Sequence, residues 1–405
     1  MRRIAILLLL LGCAKPQVPA PPAAAPAPAA ASPTDAPERQ SLLDIARGAT
    51  VVSRTGEAIL DVSALRAVDG EPGSFWTNPP GDLPQSMVVE LPARSRIDRV
   101  GIRGESNRGF PANHVQFDTS DDGKTFTPLK EIHAAVSADA QWFDAGPADA
   151  RFVRVTIIDS VRPDYVRLHS ALAAGRELEP PHPGDIDGCW SVNVRGTAFV
   201  RKDARVVGTM QIGNLPVHFD GGFDGLIYRL NWIRGNDFGL ALLSVAPGSE
   251  RLSGIEWHEE AVPLFYGDSW FGQKARCGTA LAMTDSVGAL LRRVGRFSLY
   301  GLHFRPDGSL DLQASADLLK ELSAMLRKGG GGLRFVAHEF RQSTPTADRQ
   351  YTQRELDALR SQLQAAGADL NGVEFVAQGS DSPRQQPDTT SMRALYSSVD
   401  LEIRR

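Results

Sequence analysis

Four carboxylates cluster among aromatic residues in the middle of the chain, at Glu256, Glu259, Glu260 and Asp268. A glycosidase needs two carboxyl groups flanking the scissile bond, so such a cluster has the residue types for glycan hydrolysis. The motifs around it are incomplete. The residues after His258 lack the second histidine of a zinc-binding helix, and those around Ser269 lack the closing glycine of a nucleophile elbow. We therefore expect solvated loop charges or a sugar-binding surface, and no enzyme.

The three cysteines have different surroundings. Cys13 follows a short basic start, an apolar run and Gly12. The apolar run is too short to span a bilayer, which takes about 20 residues, so it indicates a signal peptide. The segment resembles the bacterial lipobox, which implies cleavage after residues 1–12 and lipidation of Cys13. Cys189 and Cys277 are then natural disulfide partners in an oxidising compartment, with two separate buried thiols as the alternative.

Residues 13–40 are predicted to be the lipidated cysteine and a tether. Eight prolines and ten alanines fall between positions 14 and 37, a composition that favours extended polyproline II and buries little. Ala14 after the cysteine resembles the default signal for the outer membrane. We expect a lipid-anchored protein of the outer membrane that faces the periplasm.

The charge and length of the chain limit its partners and its domain count. The 405 residues include 44 Lys and Arg against 48 Asp and Glu, without a basic stripe. Nucleic-acid binding requires clustered cations, so it is excluded. The length predicts two or three globular units. Expected partners are the membrane, peptidoglycan, glycans or envelope proteins, with no cofactor.

Residues 41–178 are predicted to form an all-β unit. Apolar strand patterns at 88–91, 97–102, 114–117 and 152–157 are separated by turn residues, which favours a two-sheet sandwich. The segments 67–76, 97–100, 120–126 and 150–155 resemble the discoidin, or coagulation factor type C, pattern. The resemblance implies a β-sandwich that binds glycans, lipid head groups or proteins through loops at one end.

The same resemblance suggests a metal site. Many bacterial members hold a structural calcium near the motif occupied here by Asp69 and Glu71, which makes these two residues weak calcium candidates. The late acidic ligand of the family falls on Ser170, and calcium requires several oxygen ligands. Trp76 fits a core position better than a ligand platform, because large aromatic residues dominate cores.

Residues 184–292 are predicted to form a second all-β unit. Strand-like runs alternate with glycine-rich turns, which is consistent with a small antiparallel barrel or a sandwich. The unit resembles no family that we can name. Cys189 lies on its first strand and Cys277 just after its last, and a disulfide across this long loop would contribute on the order of 4 kcal/mol.

Residues 296–405 have a mixed α/β pattern. The pattern predicts a helix over 318–326 and strands over 333–337, 373–377 and 399–403. A second helix is predicted between the first two strands, and it begins at the capping box from Thr352 to Glu355. This order resembles the OmpA-like domain, which implies peptidoglycan binding.

The residues at the ligand clamp depart from that family. The resemblance places the acidic clamp residue on Phe340 and the arginine on Glu355, so the clamp chemistry is altered. Glu339 and Arg354 have the required charges and the same spacing, and they form a candidate substitute clamp. We expect a non-catalytic envelope lipoprotein that binds glycan or peptidoglycan. The alternatives are a protein scaffold whose OmpA-like domain has lost its ligand and, third, a glycan-processing enzyme.

Overall fold

The computed structural model describes residues 41–56, 59–78, 83–106, 111–161, 166–258, 268–277, 285–340, 344–381 and 389–404. The predicted signal peptide (1–12), the tether (13–40) with Cys13, and Glu259 and Glu260 lie outside these ranges. Within them, no helix combines the length and the apolar character needed to cross a membrane.

Eight strands form the first unit. They are β1 (Thr50–Arg54), β2 (Trp76–Thr77), β3 (Gln85–Arg103), β4 (Ala112–Ser120), β5 (Thr127–His133), β6 (Gln141–Ser160), β7 (Arg167–Leu168) and β8 (Ser170–Glu177). The main sheet has the order β1-β3-β6-β4-β5, β8 also pairs with β3, and β2 and β7 form a separate two-stranded ribbon.

The strands β3 and β6 are long because each contributes to both layers of a sandwich. Their register shifts between Glu90 and Ser95. β1 pairs with β3 before this shift, and β8 pairs with β3 after it. Inward side chains such as Val89, Phe117 and Val153 are fully buried between the layers. The predicted β-sandwich is confirmed.

The second unit is a closed barrel of eight antiparallel strands. They are β9 (Gly188–Val192), β10 (Arg195–Lys202), β11 (Arg205–Ile212), β12 (Leu215–Phe223), β13 (Tyr228–Arg234), β14 (Asp237–Val245), β15 (Arg251–His258) and β16 (Ser269–Ala275). Strand alternation directs Trp190, Phe219, Trp232 and Trp270 into one buried cluster. Of the two architectures that the sequence left open, the structure has the barrel.

The predicted disulfide is confirmed. Cys189 on β9 and Cys277, shortly after β16, are bonded, with their Cα atoms 5.1 Å apart. The barrel closes where β16 pairs with β9. The disulfide therefore lies beside the two strands whose hydrogen bonds close the barrel.

The third unit is a four-stranded mixed sheet with helices. Its strands are β17 (Arg296–Ser298), β18 (Leu333–His338), β19 (Glu374–Gly379) and β20 (Ser398–Ile403), in the order β17-β20-β18-β19. The helices are α1 (Val287–Val294), α2 (Ala316–Leu326), α3 (Pro345–Ala365) and α4 (Thr390–Tyr396). Leu290 and Leu291 of α1 share a core with Leu322 and Phe335. Thus α1, which ends the range predicted for the middle unit, packs with the third unit.

The prediction that a helix begins at the capping box from Thr352 to Glu355 is wrong. α3 begins at Pro345, and the Thr344 hydroxyl accepts a hydrogen bond from the first turn at 3.2 Å. Thr352 lies inside the helix and donates its hydroxyl to the Arg349 carbonyl at 3.0 Å. Proline is preorganised for a first turn, so the earlier threonine becomes the cap. Glu355 is consequently a buried residue on the face of α3.

All three units are in contact. The Ser244 hydroxyl of the barrel donates to the Ala49 carbonyl of the sandwich at 2.7 Å. Arg205 of the barrel forms an ion pair with Glu321 of α2 at 2.7 Å. The Ser391 hydroxyl of α4 donates to a sandwich carbonyl at 2.6 Å. The units therefore form one packed body.

Candidate functional site

A polar cluster lies at the end of the sandwich where β2 pairs with β7. In this ribbon Trp76 is opposite Leu168, and Thr77 is opposite Arg167. Trp76 and Leu168 are fully buried, so the ribbon is fixed to the core and the prediction of a core tryptophan is confirmed. Alternation then turns Arg167 and His169 to the face opposite Leu168. These two side chains form the cluster with Phe75 and Glu105.

The cluster combines an aromatic ring with charged groups. The Arg167 guanidinium donates to Glu105 Oε1 at 2.6 Å and lies 4.5 Å from the centre of the Phe75 ring. The His169 ring is tilted against Phe75, with the ring centres 5.5 Å apart. His169 Nδ1 lies 3.1 Å from the Pro72 carbonyl, which fits a proton on Nδ1. Burial lowers the pKa of His169, so its other nitrogen is an acceptor at neutral pH.

Two hydrogen-bond acceptors of this cluster are buried without a hydrogen-bond partner in the described ranges. They are Glu105 Oε2 and His169 Nε2. A buried acceptor that finds no donor costs about 1–3 kcal/mol, so an unpaired couple of acceptors is unusual in a purely structural cluster. A ligand that offers hydroxyl groups to these atoms and an apolar face to Phe75 would satisfy both.

The family model of the F5/8 type C domain matches residues 49–169. Residues 49–169 form an F5/8 type C domain. All four residues of the polar cluster lie within this domain, at the end of the sandwich where β2 and β7 meet. No curated protein matches the chain.

Several solved structures are similar to about a third of this chain. The C-terminal domain of a chitobiase from Bacteroides fragilis is 18% identical, with 33% of this chain and 96% of that chain covered and a TM-score of 0.30. CBM32-3 from a family 31 glycoside hydrolase of Clostridium perfringens is 17% identical, with 32% and 93% covered and a TM-score of 0.30. The family 32 CBM from C. perfringens NanJ, in complex with galactose, is 22% identical, with 31% and 98% covered and a TM-score of 0.27.

The calcium candidates of the F5/8 type C domain already have protein partners. The buried Asp69 carboxylate lies 3.4 Å from Arg66 Nη1 and accepts the Ser74 hydroxyl at 2.8 Å. Glu71 Oε1 accepts the hydroxyl of Thr389, beside α4. The Asp69 carboxylate is therefore paired within the sandwich, and the Glu71 carboxylate connects the sandwich to the third unit. Calcium at Asp69 and Glu71 stays a prediction.

A different group has metal-ligand spacing. His114 on β4 is opposite His133 on β5, with the rings stacked 4.1 Å apart, and His114 Nε2 lies 2.5 Å from Glu131 Oε1. One ligand atom from each residue falls within 4.8 Å of the others. Two imidazoles and a carboxylate are a ligand set that suits zinc. The sequence reasoning missed this group because the hairpin between β4 and β5 separates its members.

A cleft with a volume of about 540 Å³ lies where the third unit meets the barrel. Glu339, Phe340 and Glu355 line it, together with Arg393. Arg354 is exposed and is not one of the lining residues; its Nε donates to the Asp307 carbonyl at 2.9 Å. The structure thus places three of the four clamp residues in one cleft and supplies a cation there from α4.

Of the four carboxylates predicted to cluster in the middle of the chain, Glu256 and Asp268 lie within the described residues. Glu256 and Asp268 both line a cavity inside one end of the barrel. The Trp270 indole donates to Glu256 Oε2 at 3.1 Å. The structure therefore brings these two carboxylates of the predicted cluster together, in a small cavity at one end of the barrel.

Proposed function

We propose that the chain binds glycans through the F5/8 type C domain, at the cluster formed by Phe75, Glu105, Arg167 and His169. The observation that carries this proposal is the pair of buried, unpaired acceptors beside an aromatic ring. A sugar has hydroxyl donors at its edge and an apolar C–H face, so it complements both features. A lipid phosphate fits less well, because it would bring negative charge against Glu105.

A glycan array probed with the whole chain tests this proposal. His169→Ala and Phe75→Ala remove one acceptor and the stacking surface, and each is expected to abolish the sugar signal. His182→Ala is the matched control, since its described contact is a backbone hydrogen bond to Pro92. If no sugar is bound, or if the His169 and His182 variants behave alike, the site is not the glycan site.

The cellular setting is the second part of the proposal. We place the protein on the outer membrane through lipid on Cys13, with residues 13–40 as the tether, facing the periplasm. The lipobox resemblance and the proline-rich composition support this setting. Metabolic labelling with a palmitate analogue is expected to mark the wild type and not Cys13→Ala, and equal labelling of both would refute it.

The third unit is proposed to be an OmpA-like domain with an altered clamp. The cleft lined by Glu339 and Arg393 supports retained peptidoglycan binding, because it offers both carboxylates and guanidinium groups to a zwitterionic stem peptide. The position of Arg354 outside this cleft weighs against the substitute clamp of Glu339 with Arg354. The alternative is a scaffold that binds envelope proteins.

Co-sedimentation of the whole chain with purified peptidoglycan separates these alternatives. Binding that is lost in Glu339→Ala and kept in Arg354→Ala would place the ligand in the cleft. Loss of binding in both variants would support the predicted substitute clamp of Glu339 with Arg354. If the wild type does not sediment with peptidoglycan, the scaffold that binds envelope proteins is the alternative that stands.

We propose no catalytic activity for the chain. Glycan hydrolysis needs two carboxyl groups on opposite sides of an accessible bond, whereas Glu256 and Asp268 line a small cavity of about 140 Å³ at one end of the barrel. Release of reducing sugar from envelope polysaccharides by the wild type, lost in Glu256→Gln or Glu259→Gln, would overturn this part of the proposal.

A further inference from the structure

One end of the barrel is lined with charged side chains where a small barrel is normally filled with apolar ones. This end is formed by the hairpins β9–β10, β11–β12, β13–β14 and β15–β16. Strand alternation directs Arg195, Arg234, Glu256 and His258 into the interior, on the same faces as buried residues such as Trp232. A cavity of about 140 Å³ lies between them.

The negative side of this cavity consists of Glu256 and Asp268. Within the described ranges, the Asp268 carboxylate has no ion pair or hydrogen bond. Glu256 Oε2 accepts the Trp270 indole, and the nearest basic group to Oε1 is His258 Nε2 at 3.9 Å. Burial, followed by the charge of Asp268, raises the pKa of Glu256 to about 7. The two carboxylates therefore lack a cation at hydrogen-bonding distance.

The positive side consists of Arg195 and Arg234. Arg234 Nη2 lies 3.3 Å from Asp237 at the tip of the β13–β14 hairpin. The Arg195 guanidinium has no ion pair or hydrogen bond anywhere in the part of the chain that the structure describes. A guanidinium and two carboxylates thus share one cavity without pairing at contact distance, and all three side chains are partly exposed, so a ligand can reach them.

The floor of the cavity is apolar. It is formed by the inward side chains of Met210, Ile212, Val217, Phe219, Trp232 and Trp270. A ligand that fills the cavity must therefore carry both charges at one end and an apolar group at the other. A neutral sugar would satisfy neither charge, and a simple anion or cation would satisfy one.

We propose that this cavity binds a small zwitterion, a free amino acid with an apolar side chain. Its ammonium group lies against Glu256 and Asp268, its carboxylate pairs with Arg195, and its side chain contacts Trp232 and Trp270. The ammonium and carboxylate groups of the ligand then make the charge-assisted hydrogen bonds that the charged side chains of the cavity lack. The inference is independent of the glycan site, because the two sites share no residue.

Thermal unfolding of the whole chain tests this proposal, with the common amino acids in L and D forms and glycine betaine as probes. At least one apolar amino acid is expected to raise the melting temperature, since a ligand that binds only the folded state stabilises it. Analogues that lack one charged group of that probe should not raise the melting temperature. For leucine these are isopentylamine, which lacks the carboxylate, and 4-methylpentanoate, which lacks the ammonium group. If no probe raises the melting temperature, the proposal is wrong.

Variants locate the site. Calorimetric affinity for the selected probe is expected to fall at least about tenfold in Arg195→Met and in Asp268→Asn, because each loses a charge-assisted hydrogen bond. Arg201→Ala, an arginine at the opposite end of β10, is the control and should bind as the wild type does. Each variant is used only if its unliganded melting profile remains cooperative. Unchanged affinity in both cavity variants would place the probe elsewhere and overturn the proposal.

Discussion

Replacement of Arg205 by methionine is expected to destabilise the protein by about 3–5 kcal/mol. The side chain is 7% exposed; its Nη2 lies 2.6 Å from Asp220 Oδ2, and its Nη1 lies 2.8 Å from Asp317 and 2.7 Å from Glu321. Methionine fills part of the volume but leaves Asp220, which is 3% exposed, as a buried charge without a cation. Removing one partner of a buried pair costs about 3–5 kcal/mol.

Urea unfolding at pH 5 and pH 8, followed by tryptophan fluorescence, measures this loss. Burial raises the pKa of Asp220 to about 6 although Arg205 opposes the shift, so removal of Arg205 must raise it further. When folding raises the pKa of a carboxyl group, the folded state loses stability as the pH rises from the unfolded-state pKa to the folded-state pKa. The destabilisation should therefore be larger at pH 8 than at pH 5, and Arg205→Met with Asp220→Asn should recover most of it. Equal loss at both pH values, or no recovery in the double variant, would refute the buried-pair account.

Three further predictions concern other parts of the fold. Replacing Cys189 and Cys277 by alanine should cost on the order of 4 kcal/mol in urea unfolding, because the bond closes a loop with a sequence separation of 88; a loss below about 1 kcal/mol would contradict this. Burial raises the pKa of Asp44 to about 7. The free energy of unfolding of the wild type should therefore fall by up to about 4 kcal/mol as the pH rises from about 4 to 7. The same pH profile in Asp44→Asn would contradict this. Zn²⁺ should raise the melting temperature of the wild type but not of His133→Ala with His114→Ala, and an equal response would exclude this metal group.

The sequence was sufficient where local pattern determines structure. Alternating residues such as Val153 and Val155 predicted the sandwich strands, and the positions of Cys189 and Cys277 predicted the disulfide. The helix start failed because Thr352 and Glu355 have the right types for a cap, whereas Pro345 begins the helix earlier. Barrel closure depends on pairing between the first and last strands, which no local window contains.

The candidate sites were harder to predict because their residues are distant in sequence. Glu105 approaches Arg167 and His169 because the end of β3 pairs with the start of β8, where Arg103 is opposite Ser170. One local signal was available: Arg167 and His169 flank the buried Leu168 with strand alternation, which places both on one polar face. The barrel cavity likewise combines Arg195 from β10 with Glu256 from β15, and only the closed barrel brings them together.

Isothermal titration with the sugar that binds most strongly on the array tests the central claim of glycan binding at the F5/8 type C domain. We predict that the wild type and His182→Ala bind with equal affinity, and that His169→Ala and Phe75→Ala bind at least about tenfold more weakly, because each loses one contact worth roughly 1–3 kcal/mol. Affinities within twofold of one another for all four proteins would contradict the assignment of the site.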